Sequence, residues 1–133
     1  MMRRCAGLTL LALALPGCGT ADDRDQARAA TERFYAAFRH HDGAAACAEL
    51  SDGAVQALEQ QEGKPCAQAV TGLDLKGGAV QHVEVYITNA KVDLAEHVSA
   101  FLGREPSGWK ISSVSCAHDD KPADHPFTCE LES

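Results

Sequence analysis

Residues 77–94 read GGAVQHVEVYITNAKVDL, and a change of period inside this stretch decides the fold. Upstream of Gly77-Gly78 the apolar residues recur at helical spacing, and downstream they alternate. Val83, Val85 and Ile87 fall on one side of an extended chain, with His82, Glu84 and Tyr86 on the other. Asn89-Ala90 allows a turn, after which Val92 and Leu94 open a second strand. If the valine side faces the helices, the His82 side faces water.

Working back toward the start, Ala27, Ala30, Phe34 and Phe38 mark one face of a long helix, with Ala37 beside them. Asp22, Asp23 and Asp25 put negative charge at its first turn, where the macrodipole favours it. His40 and His41 lie near its end, where a cationic imidazole is favoured, and Asp42-Gly43 stops it. A short alanine-rich helix over Gly43–Leu50 follows, capped by Asp42. A third carries Ala54, Val55 and Leu58 and ends at Gly63. A fourth runs from Pro65 to Val70.

Working forward, Val98–Leu102 reads as a third strand. Glu105-Pro106-Ser107-Gly108 has turn chemistry, with Pro second and Gly fourth. Trp109-Lys110-Ile111 opens a fourth strand that runs to Cys116, with Trp109 as a core residue. A polar loop over Ala117–Thr128 leads to Cys129 and a short last strand. Helices first and strands after give an α+β domain, its long N-terminal helix and short helices packed on one face of a curved antiparallel sheet.

The first twenty residues, MMRRCAGLTLLALALPGCGT, have a different character. Two arginines precede an apolar run too short to span a bilayer comfortably, as in an export signal. Leu15-Pro16-Gly17-Cys18 resembles the lipobox of bacterial lipoproteins, although Pro16 stands where a small residue is usual. That resemblance implies a signal peptide over residues 1–17, a lipidated Cys18, a tether over residues 18–22 and a folded domain over residues 23–133. The expected location is the extracytoplasmic face of a membrane, with the lipid on Cys18 as the membrane contact. Without that lipid the chain is secreted.

From Cys18 onward, 10 Lys and Arg stand against 19 Asp and Glu, a formal charge of -9. Nothing basic clusters, which disfavours nucleic acid and polybasic lipid binding. Leu, Ile, Val and Phe number 21 of these 116 residues, a sparse supply for a core. Disulfides can supplement it. Cys47, Cys66, Cys116 and Cys129 remain once Cys5 and Cys18 are set aside, and four cysteines allow three pairings. Cys47–Cys66 and Cys116–Cys129 are favoured, since each joins neighbouring elements. Loops of that size stabilise by about 3 kcal/mol each in the chain-entropy account. Zinc is the rival use, and no C-x-x-C pair supports it.

Residues 34–43, FYAAFRHHDG, together with the short helices and the later Gly-Trp-Lys-Ile step, resemble the NTF2-like fold. The likeness is to small exported lipoproteins of the actinobacterial type and spans about residues 23–131. It implies a cone-shaped α+β (NTF2-like or cystatin-like) domain, here with fewer or shorter strands. The family includes isomerases, dehydratases and members without known activity, so the fold transfers no function.

An isomerase-type or dehydratase-type site would need a desolvated carboxylate base and an oxyanion donor. Glu84, Asp93 or Glu96 are candidates for the base, and Tyr35, Tyr86 or His97 for the donor. His82 and Lys91 would stand nearby. The plainer reading makes His82, Glu84, Tyr86, Asp93 and His97 a solvated sheet face, with charges paired across strands. His118 and His125, among Asp119, Asp120 and Asp124, are weak metal candidates without zincin or EF-hand spacing. No G-x-S-x-G nucleophile motif occurs, and no cofactor is expected. The sequence favours a non-catalytic, membrane-anchored accessory or ligand-binding module, with the enzyme and a metal-binding envelope protein as alternatives.

Overall fold

The structure is a computed structural model and describes residues 20–118 and 126–133. The leader, Cys18, Asp119, Asp120, Asp124 and His125 lie outside the described residues. Helix α1 spans Thr20–Arg39 and so begins within the expected tether rather than after it. Ala27, Ala30, Thr31, Phe34, Tyr35 and Ala37 form its buried stripe. Thr31 is accommodated there because its hydroxyl donates to the Ala27 carbonyl at 2.9 Å, leaving no unmet polar group.

Three short helices follow. In α2, Gly43–Ala48, the Asp42 side chain accepts from the Ala45 amide at 3.1 Å. In α3, Asp52–Glu62, Ser51 plays the same part for Ala54, and Gly63 closes the helix at φ 63°. Helix α4 spans Cys66–Ala69 and runs into a 3-10 turn over Val70–Gly72. A disulfide joins Cys47 on α2 to Cys66 on α4. The two helices approach so closely that a Cβ on Gly43 would stand 1.8 Å from the Ala67 carbonyl oxygen.

The sheet is antiparallel throughout: β1 Val80–Tyr86, β2 Asn89–Leu94, β3 Val98–Glu105, β4 Gly108–His118, β5 Phe127–Thr128 and β6 Leu131–Glu132. Strands β1 to β4 lie in chain order, and β5 and β6 both pair with the second half of β4. Helix α1 packs across β1, β2 and β4. Val83, Val92, Leu94, Leu102 and Ile111 are buried on that side. Burying one apolar face against helices and leaving the other in water is the usual α+β solution.

Two expectations change here. Ile87 does not continue the valine face. It sits with Thr88 in the β1–β2 turn, at φ 47° and 92% exposed, and Tyr86 pairs with Asn89. The turn therefore lies two residues earlier than Asn89-Ala90. The expected loop over residues 117–128 is also shorter, because Ala117 pairs with Thr128 and His118 with Phe127. Cys129 falls between two two-residue strands and is joined to Cys116.

Strand β4 carries two irregularities against β3, one between the Ser113 and Ile111 pairings and one between Cys116 and Ser113. The second contains Ser115 at φ 52°. Extra residues of this kind bend a strand and re-aim its side chains. On its far side the first half of β4 is covered by the α2–α3 connection. Ile111 donates to Glu49 O at 2.9 Å, and Ser51 donates to Ile111 O at 2.8 Å.

Candidate functional site

Strand alternation places His82, Glu84 and Tyr86 on the sheet face away from α1, and the register supplies their neighbours. Glu84 stands opposite Lys91 and His82 opposite Asp93. Asp93 in turn stands opposite Ser99 of β3. Tyr86 donates its hydroxyl to Glu84 Oε2 at 2.5 Å, and His82 Nε2 lies 3.5 Å from Glu84 Oε1. Asp93 Oδ1 takes the Ser99 hydroxyl at 2.7 Å and Lys91 Nζ at 3.0 Å. The structure thus brings together His82, Glu84, Tyr86, Lys91 and Asp93, through two carboxylate clusters on neighbouring strands.

His97 reaches the same face by an unusual path. Glu96 and His97 form the β2–β3 turn in the left-handed region, at φ 66° and 58°. With Gln81, Asp93, Ser99, His118 and Phe127, His97 lines a shallow groove. Phe127 is the groove's aromatic wall, edge-on to Phe101 and His118 at 5.0 and 5.3 Å between centroids. Lys91 Nζ stands 5.8 Å from its ring centre. Gln81, Ser99 and Phe127 were not singled out by sequence reasoning. Phe127 had one signal, since a Cys116–Cys129 bridge between adjoining strands brings residue 127 near residue 118.

Tyr35 is not part of this array. It is buried on the helix side of the sheet, 3% exposed, with its hydroxyl donating to the Lys76 carbonyl at 3.0 Å. Burial pushes that phenol up to about 12. The Lys76 amide donates to Ser115 Oγ at 2.8 Å, and the Gly77 amide donates to Glu96 Oε2 at 2.9 Å. Glu96, a candidate base, therefore acts as an acceptor that fastens the segment leading into β1. Of the candidate bases, Glu96 is the one near Tyr35, across the Lys76-Gly77 segment, whereas Glu84 and Asp93 lie on the other face of the sheet.

No family model, curated protein or solved structure matches this chain.

What the outer face can do follows from its protonation states. The hydrogen bond from Tyr86 holds the Glu84 carboxyl below its usual range, and the same bond raises the Tyr86 phenol. Burial pushes the Asp93 carboxyl up, but the hydrogen bonds from Ser99 and Lys91 outweigh it and leave the group lowered. A general base works best when its pKa is brought up toward neutrality, and these carboxylates move the other way. They are acceptors already engaged by Tyr86, Ser99 and Lys91. On the inner side, none of the described residues has a buried side-chain nitrogen or oxygen without a hydrogen-bond partner. Among the described residues, no three His, Cys, Asp or Glu side chains stand close enough to hold a metal ion. No described helix is long and apolar enough to cross a membrane.

Proposed function

We propose that this chain is an exported lipoprotein with a reduced NTF2-like cone, acting as a non-catalytic accessory or ligand-binding module on the outer face of a bacterial membrane. The observation that carries the reading is the division of the sheet into a filled inner face and a polar outer one. Phe34, Leu58, Val70, Leu102 and Val114 are essentially fully buried between helices and sheet. The Tyr35 hydroxyl, which an enzyme of this fold would aim at substrate, is engaged with main chain. Recognition then falls to the outer groove, where a carboxylate, an ammonium, imidazoles and an aromatic edge suit a small polar ligand with an apolar side.

Export is supported by the leader and by cysteine use. Cys47, Cys66, Cys116 and Cys129 are all engaged in disulfides, which persist in oxidising compartments. Mass spectrometry of the membrane fraction tests the reading: it should find diacylglycerol on Cys18 as the first residue of the mature chain. A mature chain that starts elsewhere and carries no lipid rejects the anchor.

A further inference from the structure

We infer that the tip of the β1–β2 hairpin, Tyr86 and Ile87, makes a second, non-covalent contact with the bilayer that holds the anchor. This rests on the lipidation of Cys18 proposed above. Among the described residues, Tyr86 and Ile87 are the large hydrophobics left exposed, at 58% and 92%. They are consecutive and stand at a turn. Ile87 holds φ 47°, a region disfavoured for a β-branched residue, where Asn or Gly would sit without penalty. The turn thus displays an apolar side chain where polar alternatives would be more stable. An outlier of that kind points toward function.

The direction in which the tip points selects the partner. Asp23, in the first turn of α1, pairs with Arg104 and accepts from Trp109 Nε1 at 3.4 Å. The Arg104 amide donates to the Thr88 carbonyl at 2.8 Å. This chain of contacts sets the hairpin tip beside the N-terminal end of α1. Cys18 precedes Thr20 by two residues, so the covalent reach from lipid to helix is about 7 Å. Whatever membrane holds Cys18 is therefore presented with this end of the domain. A tyrosine with an isoleucine beside it suits the boundary between headgroups and acyl chains, where amphipathic rings and short apolar groups settle. Asp22 and Asp25 are exposed in the same first turn, so the contact is apolar rather than cationic, and anionic lipid should weaken it.

The test uses the purified lipidated protein in phosphatidylcholine vesicles containing brominated phosphatidylcholine. Tryptophan is placed at the tip by Ile87→Trp and, for comparison, at the far end of α1 by His40→Trp. Twenty helical residues put those ends about 30 Å apart. Emission from buried Trp109 in the unchanged protein is subtracted. We expect the tryptophan at 87 to shift blue and lose most of its emission to the brominated lipid, and the one at 40 to be unaffected. Equal quenching at both sites, or none at 87 in a chain confirmed as lipidated, overturns the docking and leaves the anchor standing. Protection at 87 from both lipid and aqueous quenchers assigns the tip to a protein partner and also overturns it. A mature chain without lipid removes the anchor and this contact together, and its mass distinguishes that failure from the others. As an independent readout, vesicles should slow amide exchange over residues 86–89, and Ile87→Asn should abolish that slowing. Undiminished slowing in Ile87→Asn counts against the proposal.

Discussion

The hydroxyl of Tyr35 on α1 is bonded at 3.0 Å to the carbonyl of Lys76, 41 positions later in the chain. Gly77, next in sequence, sits against the same ring at φ 137°, and a Cβ there would come within 2.7 Å of it. Tyr35→Phe should destabilise the domain by about 0.5–1.5 kcal/mol, because the part-buried bond to the Lys76 carbonyl is lost. The raised phenol sets the pH dependence. Its unfolded value is near 10 and its folded value about 12, so its stabilisation is complete below pH 10 and is lost as pH rises toward 12. Urea unfolding midpoints between pH 8 and 12 should fall more steeply for the unchanged protein than for Tyr35→Phe. Parallel curves would contradict this.

Gly43 is the second such contact, and a harder one, because its neighbour is main chain. Gly43→Ala places a methyl group 1.8 Å from the Ala67 carbonyl oxygen, across the α2–α4 contact that Cys47–Cys66 clamps. A flexible side chain could give way; a disulfide-held backbone cannot do so cheaply. Thermal unfolding should report a loss of more than about 3 kcal/mol, in the range for severe overpacking. A loss below 1 kcal/mol would show that α4 yields.

Cys116–Cys129 holds the chain end to the bulged half of β4, where β5 and β6 contribute two residues each. Replacing both cysteines by Ala should cost about 3 kcal/mol on the chain-entropy estimate. Hydrogen exchange should speed up over 127–132 before it does over β1 to β3. Uniform acceleration would mean that the bridge supports the domain as a whole.

Asp93→Asn removes the ion pair with Lys91 and weakens the bond from Ser99. With the carboxylate partly exposed, the loss at neutral pH should be about 0.5–1 kcal/mol. Because the folded group is lowered, its contribution is present above the usual carboxyl range near 4 and lost as pH falls through the folded value. Denaturation curves of the two proteins should therefore converge in acid. A gap that widens in acid would place the effect elsewhere.

Ile87→Asn should stabilise the isolated domain by about 0.4–1 kcal/mol, since Asn tolerates the left-handed turn and the lost side chain has little packing to forfeit. Differential calorimetry of the unlipidated domain would register this as a higher melting temperature. A lower one would show that Ile87 packs in solution.

Much of the architecture was legible in the residues. Helical spacing through Ala27, Ala30 and Phe34, the cap Asp42, the stop at Gly63 and the Glu105–Gly108 turn all act locally. The α+β arrangement and the outward row of His82, Glu84 and Tyr86 follow from period alone. Features set by tertiary fit left no such trace. Ile87 extends an alternation, so nothing in its neighbourhood announces a turn. The run Ser112–Ser115 bulges against β3 in the half of β4 that also pairs with β5 and β6, and no local pattern marks it. Phe127 was hidden in a proline-bearing stretch, although its strand is defined by pairing with His118. Tyr35 sits beside Phe34 in the helical stripe, and its burial was available from that position; its partner, a distant main-chain carbonyl, was not.

The cover on β4 has one more consequence, for stoichiometry. Ile111 is bonded to Glu49 and Ser51, and β5 and β6 occupy the rest of that side, so among the described residues the long open edge belongs to β1. Chains that add strand to strand without limit need two complementary edges on every copy. A domain with one long edge terminates after a single addition. Any strand exchanged at β1 therefore ends in a one-to-one pair, and crowding many copies together does not start a fibre through this sheet.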